Sequence, residues 1–151
     1  MNEEHRRLAV IAFTDIAGFT EKMAEDEDVA FELVAHQRRL FRPIVENYRG
    51  TWLKEMGDGL LLTFESARTC VDCCIELQHA SQPVPDLNVR ISIHLGEIIQ
   101  VSNDVYGDDV NVASRIEKYS PVGGIAISEN VQASLALSLI HISEPTRRRT
   151  I

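Results

Sequence analysis

Long apolar runs, basic charge and dispersed cysteines are all scarce in this chain of 151 residues. The apolar run nearest the start, residues 8–13, is far shorter than the roughly 20 residues that cross a bilayer, and the polar residues 1–7 do not resemble a secretory signal. Fifteen Lys and Arg against 23 Asp and Glu give a net charge of -8, which disfavours nucleic acid and anionic lipid as partners. We therefore expect a cytoplasmic protein that binds no nucleic acid and inserts no part of this segment into a membrane.

The three cysteines, Cys70, Cys73 and Cys74, lie within five residues of each other, and no second Cys/His pair at zinc-like spacing follows them. They fall in an apolar pattern with helical spacing, where a reduced cysteine behaves as a small hydrophobic residue. With 44% hydrophobic and 25% charged residues, the chain has the composition of a single soluble domain. A chain of this length needs neither disulfides nor metal ions to hold its core together.

Apolar periodicity predicts an alternation of strands and helices. Strands are predicted at 8–13, 51–56, 60–64, 88–95, 96–101 and 125–127, and helices at 28–48, 66–79 and 108–119, with Ser128 placed to cap a final helix. The first strand is apolar on both faces and should be central, whereas 88–95 alternates and should be half-buried. The order β-α-β-β-α-β predicts an α+β, ferredoxin-like (split βαβ) fold, with a mainly antiparallel sheet and helices packed on one face.

The end of the chain differs in character from the rest. Residues 137–147 resemble the translation of a sequencing adapter more than a protein element. We therefore expect a domain at 1–136 that is incomplete at its C-terminus, followed by a non-native tail at 137–151. The alternative is a genuine helix end followed by the basic run Arg147, Arg148 and Arg149.

Two aspartates follow or join predicted strands. Asp15 lies at the carboxyl end of the first strand, and Asp58 lies in the Gly57-Asp58-Gly59 turn of a predicted hairpin. If the strand and the hairpin are neighbours, both carboxylates project from one edge of the sheet and suit Mg²⁺ or Mn²⁺. Taken singly, each aspartate is better interpreted as a turn residue, since Asp-Gly is common in hairpins.

Asn111 and Arg115 are four residues apart on a predicted helix, so their side chains share a face. Val110, Ala113 and Ile116 should then face inward. Without further context, the pair is typical of a helix-start residue and a solvated charge.

Together these segments resemble the class III adenylyl/guanylyl cyclase catalytic domain over about residues 8–136. The resemblance implies the same palm-type sheet and two Mg²⁺ or Mn²⁺ ions. It implies that Asp15 and Asp58 hold these ions, with the main-chain carbonyl of Ile16 as a further ligand.

The resemblance also assigns substrate contacts. Lys54, two residues before Met56-Gly57-Asp58, and Asp104 correspond to the pair that reads the purine, and Lys with Asp is the adenine-selecting combination, whereas guanylyl cyclases typically have Glu and Cys. Arg90 corresponds to an arginine that binds the triphosphate. Asn111 would position the ribose, and Arg115 would stabilise charge on the α-phosphate in the transition state.

The implied activity is adenylate cyclase, which converts ATP to 3′,5′-cyclic AMP and pyrophosphate. Because the metal-binding and base-binding residues of one site come from different subunits in this family, a head-to-tail homodimer with shared active sites is implied. The family's late-strand lysine that grips the triphosphate has no counterpart here, so weak or absent activity of this chain is an expected outcome.

Two alternatives are open. One is a catalytically silent cyclase-like domain that binds nucleotide and regulates a partner by dimerising. The other is a diguanylate cyclase or nucleotide polymerase, which shares paired metal aspartates on a palm-like sheet; the absence of a Gly-Gly-Asp/Glu-Glu-Phe hairpin disfavours it.

Overall fold

A computed structural model describes residues 4–101 and 104–139. Within them the chain forms strands β1 to β6 and helices α1 to α5, in the order β1 (Glu4–Ile16), α1 (Phe19–Glu25), α2 (Glu27–Asn47), β2 (Thr51–Met56), β3 (Gly59–Phe64), α3 (Ala67–Ser81), β4 (Val89–Val101), β5 (Asp104–Tyr106), α4 (Asp108–Glu117), β6 (Ile125–Ile127) and α5 (Glu129–Leu139). The order confirms the predicted α+β class.

The sheet has the strand order β2-β3-β1-β4-β5, and β6 pairs with β4. Every pairing is antiparallel except the one between β4 and β6. The predicted central position of the first strand is confirmed, since β1 lies between β3 and β4 and its residues Val10, Ile11 and Ala12 are fully buried. The carboxyl end of β1, with Asp15, therefore lies in the middle of one sheet edge.

Helices cover both faces of the sheet. One core combines the faces of α2 and α3 with alternate residues of β1 such as Val10 and Ala12. The other core places Ala113 of α4 against Ala9 and Ile11. The expected packing on one face is thus confirmed for α2 and α3, whereas α4 packs on the opposite face. Because β1 is apolar on both faces, it can be covered by helices on both sides.

The prediction of two strands at 88–95 and 96–101 is wrong, because β4 is one continuous strand. Gly96 does not turn the chain. Instead, a Cβ at Gly96 would lie 2.2 Å from Cγ of Asp109, so glycine is needed for close approach of α4. The half-buried prediction also fails: Ser92 is fully buried and His94 is 7% exposed, because α4 covers the polar side of the strand.

The helical segments also differ at their ends. The predicted helix at 28–48 corresponds to α2, and the sequence analysis did not predict α1. Asp26 separates the two helices. The Asp26 carboxylate accepts hydrogen bonds from the N–H groups of Asp28 and Val29 and so caps α2. Helix α5 runs past residue 136 to Leu139. Residues 140–151 lie outside the described residues, so the non-native tail stays a prediction.

None of the described helices has the length and apolar character that a bilayer-spanning helix requires.

We predict that Gly96→Ala destabilises the fold by about 1–3 kcal/mol, because the added methyl group overlaps Asp109 in a tightly packed contact. Chemical denaturation of both chains measures the loss. The matched control is Glu97→Ala at the next position, whose exposed side chain makes a surface ion pair with Arg6 and should shift stability by less than about 0.5 kcal/mol. Equal stability of Gly96→Ala and the parent chain would contradict the close approach.

Candidate active site

Helix α4 lies along β4 through a series of polar contacts. The carboxylate of Asp109 accepts from the Glu97 N–H at 2.8 Å, and the hydroxyl of Ser92 donates to the Ala113 carbonyl at 2.7 Å. One turn further, Glu117 lies 3.5 Å from Nε of Arg90. These contacts fix the position of α4 along β4. The last of them, between Glu117 and Arg90, lies next to the carboxyl end of β1.

The two candidate metal aspartates are brought to the same edge. Oδ2 of Asp58, in the turn between β2 and β3, accepts a hydrogen bond from the N–H of Ile16 at 2.8 Å, directly after Asp15. Burial is the main cause that raises the pKa of Asp58, and the negative charge of Asp15 raises it further. The two carboxylates therefore repel each other across a small distance at the end of β1.

Arg90 joins this acidic group. Its Nε donates to Oδ1 of Asp15 at 3.2 Å and faces Oε1 of Glu117 at 3.5 Å. Sequence reasoning expected Arg90 to bind a triphosphate; the structure places its guanidinium beside Asp15 and Glu117, and the triphosphate role stays a prediction. Its guanidinium here neutralises the carboxylates.

Glu117 is the residue that sequence reasoning missed at this site. Its side chain is 4% exposed, and Oε1 is buried without a hydrogen-bond partner among the described residues. Burial is the main cause that raises the pKa of Glu117 to about 8, and the neighbouring carboxyl group of Asp15 raises it further. The sequence contained an indication of this: Glu117 lies four residues after Ala113, on the same inward face of α4. A carboxylate on a buried face needs a hydrogen-bond or charge partner.

Asn111 and Arg115 lie on the other side of α4. Both are exposed, whereas Ala113 and Glu117 are buried. At 3.6 residues per turn, Arg115 points about 200° around the helix from Glu117. The predicted sharing of one face by Asn111 and Arg115 is confirmed, but that face is turned away from Asp15 of the same chain.

Lys54 and Asp104 meet although 50 residues separate them in the chain. Nζ of Lys54 lies 3.0 Å from Oδ1 of Asp104, and both side chains are about two-fifths exposed. The hydrogen bond from Lys54 is the main cause that lowers the pKa of Asp104, followed by the N–H of Val105. Since β2 and β5 lie at opposite ends of the strand order β2-β3-β1-β4-β5, the sheet must curl to bring this pair together.

The donor set at the end of β1 fits a hard divalent cation. Two carboxylates, one with a raised pKa, lie beside the main chain of Ile16, and a cation there would remove the repulsion between them. In the part of the chain that the structure describes, no three His, Cys, Asp or Glu side chains form a complete cage. An ion would therefore depend on main-chain, water and substrate oxygens as well.

A comparison with known families identifies the fold. The adenylate and guanylate cyclase catalytic domain matches residues 1–149. The chain belongs to this family. Among solved structures, an adenylate/guanylate cyclase/hydrolase from Silicibacter pomeroyi is similar to this cyclase domain, with a TM-score of 0.79, 33% identity, and coverage of 95% of this chain and 86% of the other.

Curated relatives are longer than this cyclase domain. A Rhizobium meliloti protein, itself only provisionally named adenylate cyclase 3, is 36% identical over 134 residues, which cover 83% of this chain and 23% of that protein. An adenylate cyclase of Streptomyces coelicolor is 30% identical over 127 residues, which cover 81% of this chain and 32% of that enzyme. The chain thus spans a third or less of these two relatives.

We predict that Mn²⁺ raises the melting temperature of the cyclase domain and that EDTA reverses the rise. Ligand at a hundred times its Kd stabilises by about 2.7 kcal/mol. Asp58→Asn should lose most of this gain, because it keeps an acceptor for the Ile16 N–H but removes the charge.

Asp72→Asn, which neutralises a half-exposed carboxylate on α3, is the control and should respond to Mn²⁺ like the parent chain. An equal Mn²⁺ response in Asp58→Asn and the parent would show that the ion binds elsewhere.

Proposed function

We propose that this domain is an adenylate cyclase, which converts ATP to 3′,5′-cyclic AMP and pyrophosphate at a site that binds two Mg²⁺ or Mn²⁺ ions. The observation that carries the proposal is the 2.8 Å hydrogen bond between Asp58 and the Ile16 N–H, which brings the hairpin aspartate next to Asp15. This juxtaposition supports a divalent-cation site formed by Asp15, Asp58 and the Ile16 carbonyl.

The preference for ATP follows from the Lys54–Asp104 pair. An ammonium donates hydrogen bonds and suits a ring-nitrogen acceptor of adenine, while a carboxylate accepts from the adenine amino group. Guanine reverses donor and acceptor at that edge. The existing ion pair holds both groups close enough to contact one base.

The reaction is attack of the ribose 3′-oxygen on the α-phosphorus, with pyrophosphate as the leaving group. Divalent ions bound here would lower the pKa of the attacking hydroxyl and neutralise the charge of the phosphates. Arg90 binds the triphosphate, Asn111 orients the ribose, and Arg115 donates hydrogen bonds to the charge that develops on the α-phosphate. Positioning and electrostatic stabilisation thus account for most of the catalysis.

The two faces of α4 favour a shared site in a head-to-tail homodimer. Within one chain, Glu117 is directed at Asp15, whereas Asn111 and Arg115 are exposed on the opposite side. These two side chains therefore reach nucleotide held by the aspartates of a second copy. Two equivalent sites follow from the symmetry of such a dimer.

We predict that Asp15→Ala and Asn111→Ala chains, each inactive alone, regain activity when they are mixed and refolded together. One of the two sites in the mixed dimer then contains both wild-type residues, so up to about half of the activity of that dimer returns. Cyclic AMP formed from ATP with Mn²⁺ is the measurement.

Mixing Asp15→Ala with Asp58→Ala is the control and should give no recovery, because both residues belong to the same half-site. Recovery in the control, or none in the test mixture, would contradict shared sites. A parent chain that binds ATP and dimerises without forming product would support the silent-domain alternative.

We predict that Lys54→Glu combined with Asp104→Cys lowers the ratio of ATP to GTP turnover by about tenfold or more, since a matched base contact contributes about 1–3 kcal/mol of discrimination. Product analysis with each nucleotide measures the ratio. The control changes another exposed ion pair, with Arg39→Glu and Glu32→Cys, and should leave the ratio unchanged. An unchanged ratio in the first variant would show that the pair does not read the base.

A further inference from the structure

His94 of β4 is a nearly buried histidine that bonds through both ring nitrogens. Nδ1 lies 2.8 Å from the hydroxyl of Ser128, and Nε2 lies 2.8 Å from Oδ1 of Asp109. The residue is 7% exposed. The ring therefore joins three segments: β4, the first turn of α4, and the junction between β6 and α5.

The groups around Ser128 fix the direction of its hydrogen bonds. Asn130 donates through Nδ2 to the Leu95 carbonyl at 2.6 Å, so its Oδ1 is the atom that faces the Ser128 hydroxyl at 2.8 Å. Ser128 has one hydroxyl hydrogen and must give it to this oxygen. Its own oxygen can then only accept a hydrogen bond from Nδ1 of His94. Ser128 directly precedes α5, as the sequence suggested, and its carbonyl accepts the N–H of Gln132.

The groups around Asp109 fix the other ring nitrogen. Oδ2 accepts the Glu97 N–H, which leaves Oδ1 to face Nε2 of His94. The hydrogen bond with His94 is the main cause that lowers the pKa of Asp109, so the carboxylate is ionised and needs a donor. Both ring nitrogens must therefore carry hydrogen.

A neutral ring cannot satisfy these contacts. With its single hydrogen on Nδ1, the Nε2 lone pair would face the Asp109 carboxylate; with the hydrogen on Nε2, the Nδ1 lone pair would face a Ser128 oxygen that has already donated. Either form leaves two acceptors 2.8 Å apart in a nearly buried site, which is unfavourable.

Charged groups on the elements around the ring need to be considered. Among the described residues, Asp109 is the charged group that bonds to it, and β1 places Ile11 opposite His94. The remaining described charges on the elements around it are Arg6, Arg7 and Asp15 on β1, Arg90 and Glu97 on β4, Asp108, Arg115 and Glu117 on α4, and Glu129 on α5.

We propose that His94, as an imidazolium bridging Asp109 and Ser128, is a positioning residue that holds the first turn of α4 and so places Asn111 and Arg115 for catalysis. The two ring N–H groups hold Asp109 and Ser128 together, and removal of the ring would free this turn. The catalytic part of the inference rests on the proposed cyclase function, whereas the protonation state and its effect on α4 do not.

The first test is ¹⁵N NMR of the histidine rings in the folded chain. At pH 6 we expect both nitrogens of His94 to show the shifts of protonated nitrogen. A single neutral tautomer at every pH at which the protein is folded would overturn the proposal.

Asp109→Asn gives a signature that a merely structural contact would not give. An amide at this position donates to Nε2, so a neutral ring with its hydrogen on Nδ1 now satisfies both contacts. We expect the ring to change to that tautomer while α4 stays in place. A ring that remains doubly protonated in Asp109→Asn would contradict the proposed role of the carboxylate.

His94→Gln tests the effect on the helix. We expect amide hydrogen exchange at 108–113 to become about tenfold to a hundredfold faster, the range for loss of a hydrogen bond to a charged group. The control, His79→Gln, changes an exposed histidine on α3 and should leave exchange in α4 unchanged. Unchanged exchange at 108–113 in His94→Gln would overturn the positioning role.

The kinetic readout completes the test. We expect His94→Gln to lower kcat with little change in KM for ATP, because Asn111 and Arg115 lose their fixed position, whereas His79→Gln should leave both constants unchanged. A kcat of His94→Gln equal to that of the parent chain would overturn the catalytic part of the proposal. If the parent chain forms no cyclic AMP, the catalytic part of the inference falls away, while the NMR and exchange results still decide the role of His94 in holding α4.

Discussion

The structure depends on the match between α4 and β4. Four residues of helix rise about 6 Å, close to the roughly 6.8 Å that two residues of an extended strand span. Asp109, Ala113 and Glu117 are spaced four residues apart along α4. Each of them therefore lies against one of a series of alternate residues of β4. Because these contacts are polar and directional, α4 has one favoured position along β4. Apolar packing alone would allow the helix to slide along the strand.

This register gives α4 two distinct faces. The inner face supports the acidic group at the end of β1, where Glu117 and Asp15 share Arg90. The outer face carries Asn111 and Arg115, exposed to solvent in one chain. In the proposed dimer, this one helix would stabilise the metal-binding residues of its own subunit and present Asn111 and Arg115 to the other subunit, so a shift of the helix would change both.

Sequence patterns predicted the central strand, the hairpin with Asp58 at its tip and the common face of Asn111 and Arg115, because each of these depends on local periodicity. The resemblance to cyclases indicated Lys54 and Asp104, and their contact across 50 residues agrees with that expectation. The polar side of β4 was misread as solvent-facing, since only the packing of α4 on it explains why Ser92, His94 and a glycine lie there. Glu117 lies on the inward face that the periodicity of α4 defines, but its contacts with Arg90 and Asp15 become apparent only when its partners in space are known.

The central claim is that Asp15 and Asp58 hold divalent cations at the end of β1. Anomalous diffraction from crystals grown with Mn²⁺ and a non-hydrolysable ATP analogue tests it most directly. The account predicts manganese peaks in contact with oxygens of both carboxylates and of the nucleotide phosphates. Manganese bound to neither aspartate, with the nucleotide placed elsewhere on the domain, would contradict it.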